Sequence, residues 1–310
     1  MMRRVAAIDC GTNSIRLLVA DLDPSTGAAT DLDRRMEIVR LGEGVDRSGR
    51  LSDAALARTF AACDTYAAAV RAHGAERVRF VATSASRDAQ NRDVFVDGVR
   101  TRLGVEPEVV SGAEEAALSF TGATRELVGD DALGQPPYLV IDIGGGSTEF
   151  VVGTGAPAAA LSVDVGCVRM TERHLRADPP TTEQVAAATH DIDAAIERAA
   201  VGVPLGSAHT LVGLAGSVTT VAAIALGLAD YDSARIHHSR IPAARVHEIA
   251  RELLAMPRAG RAAIPVMHPG RVDVIGAGAL VLSRIVERVG LAEVLVSEHD
   301  ILDGIAWSQV

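Results

Sequence analysis

The sequence predicts an α/β protein built from two related domains, and three observations carry that expectation. A phrase occurs twice: residues 7–19 read AIDCGTNSIRLLV and residues 140–152 read VIDIGGGSTEFVV. In each copy an apolar run delivers an Asp (Asp9, Asp142), then a Gly two positions on (Gly11, Gly144) and a Ser three further (Ser14, Ser147). Strand-like and helix-like segments alternate in both halves, as an α/β architecture requires. Between the halves lies GDDALGQPP at 129–137, which is turn chemistry. A length of 310 residues also exceeds that of most single domains.

The elements follow in order. Each copy of the phrase reads as strand, tight turn, strand, over 4–22 and 138–153. RRMEIVRLGEGV continues the first hairpin as an extended stretch. From Ser52 to Ala72, Leu56, Phe60, Cys63, Ala67 and Val70 recur at helical spacing, and Gly74 supplies the stop. RVRFVATSAS reads as a buried strand running into a polar turn, and VEPEVVSG as a short strand ending at Ser111. In the second half a strand is expected near Ala160–Val165 and a helix from about Thr181, after the Asp178-Pro179-Pro180 break. A Gly-rich strand-turn-helix follows near 211–228, with its helix starting near Ser217. A helix at Ala243–Ala255 is stopped by Pro257. GAGALVLSRIVERV reads as a helix, EVLVS as a strand, and DILDGIAWSQ as a short amphipathic helix.

Composition narrows the functions. Apolar residues make up 48% of the chain, enough for packed cores, while aromatics make up 3%, so Leu, Val, Ile and Ala must fill them. A net charge of −10 opposes general binding to nucleic acid or anionic membranes, so a polyanionic ligand must be held by a local patch. All 30 basic residues are Arg. Without Lys, a Walker-type P-loop is excluded, and phosphate binding falls to the forked guanidinium. Three widely spaced cysteines (Cys10, Cys63, Cys167) suit a reduced, cytoplasmic protein, with Cys10 a buried thiol or an oxidation-sensitive one. No signal peptide is apparent before Asp9. The uncharged stretch TLVGLAGSVTTVAAIALGLA is long enough to span a bilayer, but its Gly-Leu-Ala-Gly-Ser interruption makes it a strand, a turn and a helix. That turn is a third anion-site candidate.

Candidate site residues come from four places. The turns Gly11, Thr12, Asn13, Ser14 and Gly144, Gly145, Gly146, Ser147, Thr148 expose backbone N–H groups that suit phosphate oxygens. Either turn alone is equally an ordinary hairpin. Asp9 and Asp142 suit Mg²⁺ as hard carboxylate ligands, and Glu149, seven residues after Asp142 on the return strand, can face the same side. Its counterpart in the first copy is Arg16, which makes the second turn the metal side. In SGAEEA, Ser111 and Glu114 have capping-box spacing, so Glu114 is structural. Glu115 stands about 100° around the helix. It is either a water-orienting carboxylate or a complement to the helix dipole. In ATSASRDAQN, Arg87 suits bidentate phosphate binding, or belongs to a solvated turn. His237-His238 and His299-Asp300 lack partners at metal spacing in the sequence and are read as non-catalytic.

Taken together, IDCGTNSIRLLV, ATSASRDAQN, SGAEEA, IDIGGGSTEF and GLAGSVTT, extended by VGCVRMTE and GRVDVIGAGALVL, resemble the exopolyphosphatase and guanosine pentaphosphate phosphohydrolase family. That family is a branch of the sugar kinase, Hsp70 and actin superfamily. The resemblance implies two ribonuclease-H-like domains, 1–125 with 299–310 and 126–298, around a central cleft. It implies Mg²⁺-dependent release of the terminal phosphate of inorganic polyphosphate, and a guanosine pentaphosphate activity as the alternative. On its motifs Glu115 is the base that activates water, Arg87 a phosphate ligand, and Asp142 and Glu149 the metal and water support. A homodimer is implied as well. Longer relatives carry further helical domains, so weaker processivity is expected here. GLAGSVTT stands where relatives often have a Gly-Thr-Ser-Gly form, which leaves the role of the third turn open. A superfamily kinase or ATPase and a non-catalytic polyphosphate or alarmone sensor are the rival classes.

Overall fold

The protein is described by a computed structural model, over residues 2–130 and 132–310. The chain divides into two units, Met1–Gly122 with Ile301–Val310, and Ala123–Asp300.

In the first unit the doubled phrase becomes β1 (Arg3–Cys10) and β2 (Ser14–Leu22), and the extended stretch after it becomes β3 (Ala29–Ile38). A short α1 (Val45–Ser48) leads to α2 (Asp53–His73). The ends of α2 are set locally. The Ser52 side chain accepts the Ala55 N–H, and Gly74 closes the helix in the left-handed region at φ 65°. Then come β4 (Arg77–Ala82), α3 (Ser84–Asp88), α4 (Arg92–Leu103), β5 (Glu108–Val109) and α5 (Gly112–Thr124). The sheet order is β3-β2-β1-β4-β5, with β2 antiparallel to β1, and β4 and β5 parallel to it. This is the ribonuclease-H-like arrangement.

Alternation along β1 feeds two cores. Ala6, Ile8 and Cys10 join the α2 side, while Val5 and Ala7 join the other. On that second face lies the returning helix Ile301–Trp307, which brings Ile301, Leu302, Ile305 and Ala306 against Leu18, Val81, Val110 and Leu118. The Gln309 amide donates to the Ala6 carbonyl (3.0 Å) and Arg34 pairs with Asp303 (2.5 Å). Gly304 is required by proximity: a Cβ there would lie 2.0 Å from the Leu118 carbonyl oxygen.

Two local expectations change. ATSAS does not run into a solvated turn; Ser84, Ala85 and Ser86 are buried in α3. The strand in VEPEVVSG is only two residues long, bounded by Pro107, which has no N–H for a ladder.

The second unit repeats the plan with β6 (Tyr138–Ile143), β7 (Thr148–Gly153) and β8 (Pro157–Val163). It continues through α6 (Cys167–Arg173), α7 (Thr182–Gly202), β9 (Thr210–Leu214), α8 (Ala215–Ala225), α9 (Ser233–Ile236) and β10 (Arg240–Pro242). Three helices, α10 (Ala243–Ala255), α11 (Arg258–Ala262) and α12 (Ile275–Val289), precede β11 (Glu293–Val296). The order is β10-β11-β9-β6-β7-β8, the first unit's order with one antiparallel strand added at the edge. Thr181 and Gln184 close a capping box at the start of α7. The uncharged stretch is split between β9 and α8, and no helix among the described residues is long and apolar enough to cross a membrane. At the junction Ala215 adopts φ 67°, a left-handed conformation that costs a non-glycine residue about 1–2 kcal/mol.

Three substitutions test these constraints in urea unfolding. Gly304→Ala pushes the returning helix off α5 and lowers stability by about 1–3 kcal/mol. Gly155→Ala, with open space around it, changes stability by less than about 0.5 kcal/mol. Ala215→Gly relieves the left-handed residue and raises stability by up to about 1 kcal/mol, since glycine's extra unfolded-state freedom offsets part of the gain.

Candidate active site

In an open α/β sheet, chemistry collects where parallel strands end. In the first unit β1, β4 and β5 run parallel and in register, with Cys10 beside Ala82 and Ala82 beside Val109. Their carboxyl ends lead, side by side, into the turn 11–14, into α3, and through Ser111 into α5. The sequence candidates Gly11–Ser14, Arg87 and Glu115 therefore stand on three consecutive strand ends. Arg87 Nη1 donates to Glu115 Oε2 at 2.5 Å and to the Val110 carbonyl at 3.0 Å. Glu115 is 7% exposed. The guanidinium makes both bonds through Nη1, so its Nε–H and Nη2 remain as anion donors. Thr12 and Ser84 share a buried hydroxyl bond (2.8 Å) that joins the first turn to α3.

Glu114 takes the other role. Its backbone N–H donates to the Ser111 hydroxyl (3.2 Å), while its exposed carboxylate accepts from Arg79 (2.8 Å). Ser111 thus caps the helix.

The two turns are held in one manner. In the first, Gly11 N–H donates to the Ser14 carbonyl (2.9 Å), and in the second Gly144 N–H donates to the Ser147 carbonyl (3.0 Å). A following segment then takes the turn's carbonyls. The N–H groups of Val39 and Arg40 donate to Asn13 O, and that of Gly42 to Thr12 O. In the second unit Cys167 N–H donates to Gly144 O, and those of Val168 and Arg169 to Gly145 O. Arg169 Nε adds a bond to Gly146 O at 2.7 Å. Each segment presses close through a glycine. A Cβ on Gly42 would meet Thr12 Cγ2 at 2.3 Å, and one on Gly166 would meet Gly145 O at 2.4 Å. Carbonyls consumed in this way leave a turn to offer its N–H groups.

The hairpins differ in charge. Asp9 pairs with Arg16 across β1–β2, and Arg16 Nη2 and Nε donate to Asp9 Oδ2 at 2.7 and 3.0 Å. At the same register position β6–β7 sets Asp142 opposite Glu149, 7% and 1% exposed. Two buried carboxylates directly opposed on neighbouring strands destabilise the pairing unless a cation offsets them. The Ser162 hydroxyl donates to Glu149 Oε1 (2.7 Å) and orients it. A hard divalent ion such as Mg²⁺ suits this all-oxygen pair, and in the first hairpin Arg16 occupies the corresponding place beside Asp9.

The third turn places β9 against α8 with Arg271 lying over it. A Cβ on Gly216 would fall within 2.4 Å of the guanidinium, which also donates to Thr220 Oγ1 (3.2 Å). The sequence signals give no role to Arg271, Ser162 or Arg169, although Arg169 lies within VGCVRMTE and Arg271 within GRVDVIGAGALVL. They also leave the His pairs without partners. The fold brings His237, His238 and His299 together around Glu126. All three cysteines are free and buried. Burial pushes the Cys10 thiol well up, that of Cys63 to about 12, and that of Cys167 upward.

Comparison with known proteins identifies relatives of the whole chain. The chain is 50% identical to Exopolyphosphatase 2 of Mycobacterium tuberculosis, over 99% of this chain and 98% of that one. It superposes on the crystal structure of an exopolyphosphatase-like protein with a TM-score of 0.95 and 42% identity, covering 99% and 98% of the two chains. The PPX-GPPA enzyme of Aquifex aeolicus gives a TM-score of 0.82 at 28% identity, covering 99% and 100%. A family model matches residues 18–310. The chain belongs to the Ppx/GppA phosphatase family.

Proposed function

We propose that the protein is an exopolyphosphatase that removes the terminal phosphate of inorganic polyphosphate by attack of water. The observation that carries this reading is the pairing of the buried Glu115 with the half-buried Arg87 at the carboxyl ends of β5 and β4. It joins a proton-accepting carboxylate to a guanidinium with donors to spare. The match to Exopolyphosphatase 2 along nearly the full length of both chains supports it.

Glu115 is the base: its carboxylate orients a water molecule and takes its proton as the oxygen bonds to phosphorus. Arg87 and the N–H groups of the first turn other than that of Gly11, which bonds within the turn, bind non-bridging oxygens and stabilise their growing charge. The N–H groups of Gly145, Gly146 and Ser147 are the phosphate donors of the second turn. The transition state of phosphoryl transfer is loose, so positioning and charge matter more than a strongly activated nucleophile. The shortened polyphosphate departs as an anion and needs no strong acid. Asp142 and Glu149 are the residues that would hold Mg²⁺, which when bound would neutralise phosphate charge. The reading includes a cytoplasmic protein, supported by three unpaired buried thiols, and a homodimer, to be measured by light scattering.

Phosphate release is measured on polyphosphates of defined length beside guanosine pentaphosphate and ATP. Steady release from polyphosphate without ADP or another acceptor is expected. A requirement for an acceptor replaces the hydrolase with a kinase, and tight binding without turnover replaces it with a sensor. Glu115→Gln lowers kcat about 10²-fold or more and leaves KM within a few-fold. Glu114→Gln keeps turnover and costs less than about 1 kcal/mol, because its pair with Arg79 is exposed. The opposite result inverts the two roles. Chelation abolishes release and Mg²⁺ restores it, and Asp142→Asn raises the Mg²⁺ concentration needed for half-activation.

A further inference from the structure

The second unit gathers four side chains that the phosphatase reading does not use. Glu126 Oε2 lies 2.9 Å from His237 Nε2, 3.4 Å from His299 Nδ1 and 3.7 Å from His238 Nε2. The nearest ligand atoms of Glu126, His237 and His299 all lie within 4.8 Å of one another. In a tetrahedral site with bonds of about 2.0–2.1 Å, ligand atoms stand about 3.3 Å apart. The three distances from Glu126 bracket that value, so its carboxylate oxygen already stands at ligand spacing from the imidazoles.

The histidines are held from several directions. β10 runs antiparallel to β11, which sets His237 and His238, just before β10, beside the residues that follow β11. The His238 N–H donates to the Val296 carbonyl (2.7 Å), and its backbone is left-handed at φ 59°. Such a conformation in a non-glycine residue persists only where its surroundings impose it. The Ser297 hydroxyl accepts the His299 N–H (3.0 Å) and donates to the His299 carbonyl (2.7 Å). The rings of His237 and His238 stack at 3.7 Å, and His299 closes on His237 at 4.5 Å.

We propose that Glu126, His237 and His299 form a binding site for a transition-metal ion of the Zn²⁺ class, with His238 or water in the fourth position. Imidazole nitrogens with a single carboxylate select Zn²⁺ or Co²⁺ over Mg²⁺, which prefers all-oxygen ligands. Without metal, His237 Nδ1 accepts the Glu298 N–H (3.1 Å), so the neutral ring carries its hydrogen on Nε2 and donates it to Glu126. On binding, the metal takes the Nε2 lone pair, the hydrogen is carried on Nδ1, and the bond from Glu298 is given up. The ion then bonds to one oxygen and two nitrogens in place of that bond and the His237–Glu126 hydrogen bond.

The site stands apart from Asp142 and Glu149. It lies at the β11–β10 end of the sheet, two to three strand spacings from β6, on the order of 10–15 Å. Its position in the chain gives it a structural consequence. Glu126 lies just after the chain enters the second unit, and His299 just before it leaves. One ion would fasten the entry and exit segments of that unit to each other.

Co²⁺ is the probe, titrated into the full-length protein with Mg²⁺ in excess. The wild type should bind one equivalent and show the visible absorption of tetrahedral Co²⁺, and Zn²⁺ should displace it and raise Tm. His237→Ala/His299→Ala should weaken binding at least 100-fold and abolish both responses, and Glu126→Gln/His299→Gln should reproduce that loss in a less disruptive background. Asp142→Asn should keep the spectrum. Polyphosphate hydrolysis should be unchanged by His299→Gln, which separates failure of this site from failure of the phosphatase reading. Absence of stoichiometric Co²⁺ binding, persistence of the spectrum in a folded double variant, or its loss in Asp142→Asn overturns the proposal.

Discussion

The antiparallel register of β1 with β2, and of β6 with β7, is the constraint on which the candidate chemistry rests. A one-residue slip in either hairpin would turn every side chain of the slipped strand to the other face. Asp9 would lose Arg16, and Asp142 would no longer face Glu149. Each register is set by its turn, through the Gly11–Ser14 and Gly144–Ser147 backbone bonds. The segments at 39–42 and 166–169 lock those turns by taking their carbonyls. The repeat is therefore one device used twice, with a single exchange of charge. Arg opposite Asp matches the carboxylate within the first hairpin, whereas Glu opposite Asp concentrates negative charge in the second.

That exchange bears on how an acidic protein handles a polyanion. With a net charge of −10, the field of the whole molecule repels phosphate chains. Attraction has to come from backbone dipoles and from a few guanidiniums, all acting at short range. Most arginines are spent on protein carboxylates, as with Arg4 on Asp21, Arg34 on Asp303 and Arg284 on Asp193. Arg87 differs in keeping part of its fork uncommitted while its Nη1 anchors Glu115.

What the sequence made legible was what local chemistry decides. Ser52 and Gly74 bound α2, Ala243 and Ala255 bound α10, and the doubled phrase folds as two hairpins because each signal lies within a few residues of its effect. Arg87 and Glu115 could each be picked from a motif. Their contact, however, depends on β4 lying beside β5, a pairing between segments some 25 residues apart. The same limit explains ATSAS: polar residues suggest solvent, but Thr12 bonds Ser84 from another strand end and buries it. The cluster around Glu126 lies furthest from local inference. Its members come from three separate segments, and the histidines meet through the pairing of β10 with β11.

The returning helix also has a meaning in time. Ile301, Leu302, Ile305 and Ala306 complete one of the two apolar faces of the first unit's sheet. During vectorial synthesis that sheet leaves the ribosome with this face bare, and the whole of Ala123–Asp300 must be made before its cover arrives. The second unit, continuous in sequence, has no such wait. The order of emergence is thus the reverse of the order of completion: the unit made first is finished last. Its uncovered face, lined by Val5, Ala7, Leu18 and Val81, is the surface a nascent-chain chaperone would need to shield.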